Sequence, residues 1–179
     1  MMSLNYCLSK GARGDKIAAY EAARIMYFEK YNEAMVQAQL RKAASIGSVE
    51  AMRWLGFLGL SGKLISPEST VAKISYYNTY DQAYRWFWEG FKNGDPLSTF
   101  VVGTCLQHGI GTPQDVQKSK EIMAGVSSDI SIDSLVPVIF LINALCSATP
   151  SSTQSLHTNF IEFFLSNQAG QHGETRKIQ

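Results

Sequence analysis

Little in this sequence is suited to covalent or metal chemistry. Its three cysteines, Cys7, Cys105 and Cys146, are far apart and odd in number. They fit neither a zinc-ligand spacing nor a disulfide framework, and they read as core thiols in a reducing compartment. His108, His157 and His172 stand at no recognised spacing from a cysteine or carboxylate, so each reads as structural or solvated. No serine elbow, zinc-binding helix or paired-carboxylate motif is present. Charge is also scarce, at 17% of residues, with 16 basic against 15 acidic side chains. Without a basic field, nucleic acid is not the expected partner. The longest apolar stretch, LVPVIFLINALCSA near residue 140, is too short to span a bilayer, and the N-terminus has no apolar run of signal-peptide length. These absences lead to an expected soluble, cytoplasmic chain with no catalytic residue, metal, cofactor, small-molecule substrate or membrane contact.

Glycine is where the sequence is informative. The stretch HGIGTPQDVQKSKEIM, residues 108–123, could be a phosphate cradle or the joint of a helical repeat. A dinucleotide fingerprint needs a third glycine at the helix start, and a P-loop must end in Gly-Lys-Ser/Thr. Neither is present, which leaves the joint. Three segments then align: GDKIAAYEAAR from Gly14, GSVEAMRWLGF from Gly47 and GDPLSTFVVGT from Gly94. Each has a small residue four positions after the glycine (Ala18, Ala51, Ser98), an apolar one after eight (Ala22, Leu55, Val102) and Ala or Gly after nine (Ala23, Gly56, Gly103). Positions four and eight share a helix face, and small residues there let a neighbouring helix come close. Partner helices are expected in NEAMVQAQLRKAASIG, YDQAYRWFWEGFKNG and DVQKSKEIMAGV, with glycine turning the chain from one unit into the next. The copies start 33 and 47 residues apart, and the longer interval holds the extra stretch LISPESTVAKISYYNTY. Removing about 13 residues of it restores a helix-turn-helix period in the mid-thirties.

The pattern resembles the Sel-one-like repeat (SLR) family, short relatives of the tetratricopeptide repeat. Ala43, Ala44, Gly47, Ala51, Leu55 and Gly56 carry it in one copy; Gly94, Gly103, Gly109, Gly111, Pro113, Gln114, Asp115 and Lys118 carry it in the next. Ala83, Trp86 and Gly94 supply the second-helix spacing, with Gly90 and Ser119 where alanine is usual. The first copy lacks the glycine turn, and the second has the insertion in its place. The resemblance covers roughly residues 10–126 and implies an all-α fold, an α-solenoid of stacked antiparallel helical hairpins. Residues 127–169 read as a terminal helical hairpin that caps the stack, with Pro137 near a helix start. Residues 1–170 then form one domain, and 171–179 a polar tail.

One helix carries more aromatic surface than the repeat requires. In YDQAYRWFWEGFKNG, Ala83, Trp86, Phe87 and Gly90 take the face the family assigns to the core, while Tyr84, Trp88 and Phe91 recur along a second face about 100° away. Two readings stand: flanking helices or the insertion tyrosines Tyr76, Tyr77 and Tyr80 cover this face, or the cluster is an interface anchor. The insertion likewise reads as a loop variant or as a recognition loop. The candidate partner-binding residues are therefore Tyr76, Tyr77, Tyr80, Tyr84 and Trp88, with Arg53 and Phe57 on the first helices. Roles implied by the resemblance include scaffolds, regulators and immunity proteins that neutralise toxins. A non-enzymatic inhibitor of one protein partner, such as a toxin, is the expectation; a scaffold or regulatory adaptor in a signalling or envelope pathway is the alternative.

Overall fold

The computed structural model of the chain describes residues 2–69, 73, 80–126, 130 and 138. The chain divides into two units, Met1–Val126 and Ser127–Gln179. The expected terminal hairpin and tail fall in the second, outside the described residues apart from Ile130 and Val138. The first unit holds α1 (Leu4–Ala12), α2 (Lys16–Phe28), α3 (Glu33–Ser45), α4 (Val49–Leu60), α5 (Tyr80–Lys92), α6 (Pro96–His108) and α7 (Val116–Ala124). Among the described residues, extended pairing is confined to isolated bridge positions at Ile65 and Lys73. Each helix packs principally on its neighbours in sequence, which is how a solenoid is built.

The repeat joints work as the spacing predicts. Gly14, Gly47 and Gly94 adopt φ of +92°, +92° and +76°. The following amide reaches back to a helix carbonyl in each case: Asp15 to Lys10 at 3.2 Å, Ser48 to Ala43 at 3.0 Å and Asp95 to Gly90 at 3.0 Å. Nothing lies within 4 Å of where a Cβ would stand on these three glycines, so conformation and not space requires them. The residue after each glycine then caps the next helix. The side chains of Asp15, Ser48 and Asp95 accept from the amides of Ala18, Ala51 and Ser98, each cap contributing about 1 kcal/mol. This second signal, glycine followed at once by a capping residue, was present in the sequence beside the glycine spacing.

All nine small or apolar positions that define the three aligned copies are buried. At Gly103 the cause is space: an added Cβ would lie 2.5 Å from Met123 Sδ on α7. Beside it, the buried Ser119 hydroxyl donates to the Gly103 carbonyl at 2.7 Å. That bond gives the serine in the usual alanine position a structural use. Gly90 has a comparable reason, since a Cβ there would meet Ser98 Oγ and Cβ on α6.

Two departures from the repeat pattern resolve into one geometry. The first helices α2, α4 and α6 end alike, with backbone bonds from Tyr31 to Met26 (2.9 Å), Lys63 to Leu58 (2.8 Å) and Ile110 to Cys105 (3.0 Å). The left-handed residue is Gly62 at φ +68° in the second copy and Gly109 at φ +70° in the third, but Lys30 at φ +61° in the first. The first copy thus makes the same turn without glycine, at the cost of a strained lysine. Helix α1 was not foreseen. It packs on α2 as α3 does on α4, with the Gly11 backbone tight against Ala19, and so occupies the place of a second helix from a preceding unit.

Two substitutions test this packing. Lys30→Gly relieves the left-handed strain and is expected to raise stability by about 1 kcal/mol, less what the Lys30–Tyr27 cation–π contact contributes. Gly103→Leu must displace Met123 and is expected to lower stability by roughly 1–3 kcal/mol. Urea unfolding of both variants beside the parent checks the two signs.

Candidate functional site

Helix α5 presents the two apolar faces its sequence implies. On the first, Ala83 and Phe87 are fully buried. They descend onto α4 where Gly59 and Gly56 lack side chains: a Cβ on Gly59 would meet Ala83 Cβ at 2.7 Å, and one on Gly56 would meet the Phe87 ring at 2.6 Å. Trp86, expected on this core face, is only half-buried. The α5–α4 contact is centred on Ala83 and Phe87, and one residue of helical rotation turns the indole toward the edge of the interface.

On the second face, Tyr84 stacks on Trp88 at 5.9 Å between ring centroids, and Trp88 meets Phe91 at 5.0 Å. All three are half-buried. Their neighbours include the chain's own next turn and helix. Lys118 Nζ of α7 stands 5.0 Å over the Trp88 ring, and Thr112, in the turn that opens with Gly109, stands near the Tyr84 hydroxyl. Burial raises the Tyr84 pKa, and the nearby Thr112 side chain works against that rise. Gly111, at φ +67°, presses so closely on the Tyr80 carbonyl that a side chain has no room. The Gly-Ile-Gly turn is therefore a docking element for the start of α5. Tyr80 itself is 45% exposed. Tyr76 and Tyr77 lie outside the described residues.

The two candidates on α4 are placed differently from what the sequence suggested. Phe57 is 1% exposed and meets Phe87 edge-on at 5.0 Å. It is a core residue, because the gap above Gly56 draws the Phe87 ring down beside it. Arg53 is engaged within the fold: its Nε donates to Asp95 Oδ2 at 2.8 Å, and its terminal NH2 group bonds Oδ1. Burial alone would pull the guanidinium pKa down, but the hydrogen bond and charge of Asp95 outweigh it and hold it above the ordinary value. Arg53 is thus a charged tie between the first helices of the second and third repeats.

Sequence reasoning missed a small cleft of about 200 Å³, lined by Arg41 of α3, Pro67 of the insertion and Gln82, Arg85, Trp86 and Glu89 of α5. No motif spaces these residues, since the two arginines come from second helices of successive repeats. The insertion root beside it is fixed from α3. Gln37 Nε2 donates to the Lys63 carbonyl and its Oε1 accepts from the Ile65 amide, both at 2.8 Å, while Arg41 donates to the Ile65 carbonyl. Among the described residues, no cluster of three or more His, Cys, Asp or Glu could hold a metal ion, and no helix is long and apolar enough to cross a membrane. Cys7 and Cys105 are buried. Burial, with the Glu21 and Asp15 carboxylates, pushes the Cys7 thiol up, away from nucleophilic use.

Arg53→Ala leaves the Asp95 carboxylate buried without its partner and is expected to cost about 3–5 kcal/mol. The double variant Arg53→Met/Asp95→Asn, which keeps a capping side chain, is expected to recover part of that loss. Thermal unfolding of both variants checks the order.

No protein-family model matches the chain, and no curated protein matches it. The chain is similar to the crystal structure of a Sel1 repeat protein from Oxalobacter formigenes, at 21% sequence identity, with a TM-score of 0.57 over 70% of this chain and 89% of that one. With its seven helices packed in consecutive pairs, the first unit has a Sel1-repeat-like fold.

Proposed function

We propose that the chain is a non-enzymatic, protein-binding repeat that acts by occupying a single partner protein, in the manner of an immunity protein on its toxin. The observations that carry this reading are the exposure of Tyr80 at the start of α5 and the joining of Arg85 and Trp86 beside the insertion root at Pro67. Tyrosine, tryptophan and arginine are the residue types that anchor protein interfaces. The Sel1-repeat-like fold supports it, because stacked hairpins present extended surfaces to partners. The buried polar groups support it as well. Gln37, Asp95, Ser98 and Ser119 hold helix ends and neighbouring carbonyls, so their chemistry is spent on the fold.

The decisive experiment is affinity capture from the native cell, followed by reconstitution with the captured protein. One partner bound at equal stoichiometry and inactivated by binding is the expected result. A partner whose activity is unchanged would favour the adaptor reading. Tyr80→Ala is expected to weaken that complex by about 2 kcal/mol while leaving the melting temperature nearly unchanged, as for an interface hot spot. The core control Phe87→Ala is expected to lose about 3–5 kcal/mol of stability. If Tyr80→Ala folds normally and binds at full strength, Tyr80 is not part of the contact.

A further inference from the structure

We infer that the cleft between α3, α5 and the insertion root receives one carboxylate side chain of an acidic segment on the partner protein. The inference rests on the protein-binding reading above and deepens it by naming the partner's chemistry. The volume, about 200 Å³, lies below the roughly 300–1,000 Å³ of small-molecule sites and suits one protruding side chain. Its lining sets the charge of that side chain. Among the described residues, Arg41 and Arg85 bring two guanidiniums to the cleft lining against one carboxylate, Glu89, and Glu89 already has an ammonium partner in Lys92 at 2.7 Å. The balance of the cleft is positive.

Geometry narrows the ligand further. Arg41 is oriented by its bond to the Ile65 carbonyl, so part of the ordering cost of binding is already met by the fold. Arg85 is 72% exposed, with only a long 3.9 Å approach to Asp81. It can swing onto an incoming acid. Guanidinium forks pair with carboxylates through two parallel hydrogen bonds. Trp86 and Pro67 supply the apolar walls against which the methylenes of a glutamate pack, and Gln82 adds an amide. Those apolar walls suit an acid carried on a methylene chain, which an inorganic phosphate ion lacks. The cleft lies between second helices of successive repeats, so its residues differ from those that join the first helices to one another.

The test is a nitrogen-15 NMR titration of the full chain with N-acetylglutamate amide, following the indole N–H of Trp86, with the signal identified by its loss in Trp86→Phe. A saturable shift with a midpoint in about the millimolar range is expected for so small a probe. N-acetylglutamine amide should leave the signal in place, and Arg85→Gln should weaken the glutamate response roughly tenfold by removing one charge-assisted pair. An indole that does not move, that moves equally with the glutamine probe, or that responds to inorganic phosphate at lower concentration overturns the proposal. The titration decides the cleft whether or not a partner is captured. A captured partner that binds Arg85→Glu as tightly as the parent would also overturn it, while leaving the protein-binding reading intact.

Discussion

The stack depends most on one buried carboxylate. Asp95 caps α6 through the Ser98 amide, accepts the Ser98 hydroxyl, and receives two donors from Arg53 of α4. Ser98, held in this way, fills the space against Gly90 of α5. Three helices from two repeats are thus positioned by a single charge. A buried ion pair is tolerated only when its polar atoms are bonded on both sides, and here the cap, the hydroxyl and the guanidinium meet that requirement together. Moving α4 against α6 breaks both guanidinium bonds, while α5 is tied to the node by the Asp95 amide bond to the Gly90 carbonyl and the Gly90–Ser98 contact. The other joint between first helices solves the same spacing problem without charge. Its cap is the neutral Ser48, and Tyr20, which stands six residues after its opening glycine as Arg53 does, meets Trp54 edge-on at 6.1 Å. Burial drives the Tyr20 phenol well above its ordinary pKa, so this contact stays neutral as the other stays charged.

The joints were legible in the sequence because each needs a residue type that few others replace. A left-handed helix end favours glycine and a tight crossing favours Gly, Ala or Ser, so the positions of Gly14, Gly47 and Gly94 with their followers at four, eight and nine residues marked α2, α4 and α6. Side-chain destinations were much less legible. Phe57 and Trp86 were each assigned to the wrong environment, since adjacent helix residues differ by about 100° and the orientation of α5 on α4 is fixed by two gaps, at Gly56 and Gly59, whose effect appears only in three dimensions. Arg53 was misread for another reason: its partner lies on a different helix, and nothing local announces a pairing of that range. The cleft was hidden on the same ground, being assembled from α3, α5 and the insertion root.

The aromatic surplus of α5 has a structural explanation for much of its area. Phe87 enters the space above Gly56, and Tyr84, Trp88 and Phe91 form a ladder that runs beside the turn after α6 and is met by Lys118 of α7. The Gly109–Gly111 turn and the lysine of the family pattern therefore face the same helix that carries the surplus. What remains open on α5 is Tyr80 at its start and the separate side bearing Arg85.

Nearest-neighbour packing lets such an insertion be carried at small cost. The α4–α5 connection runs from residue 61 to 79, against residues 29 to 32 between α2 and α3. Lengthening a loop roughly fivefold costs about 1.4 kcal/mol of closure entropy. That is less than the burial of one large core side chain such as Phe87 contributes, at roughly 1.5–3 kcal/mol. The root of the connection also returns some of that cost, since Leu64 and Ile65 are buried and Gln37 and Arg41 hold the backbone on either side. A repeat of this kind can therefore change the length and composition of its insertion beyond Ile65 without altering how α4 meets α5. Stability at this joint is set by the glycine crossings and the Asp95 node.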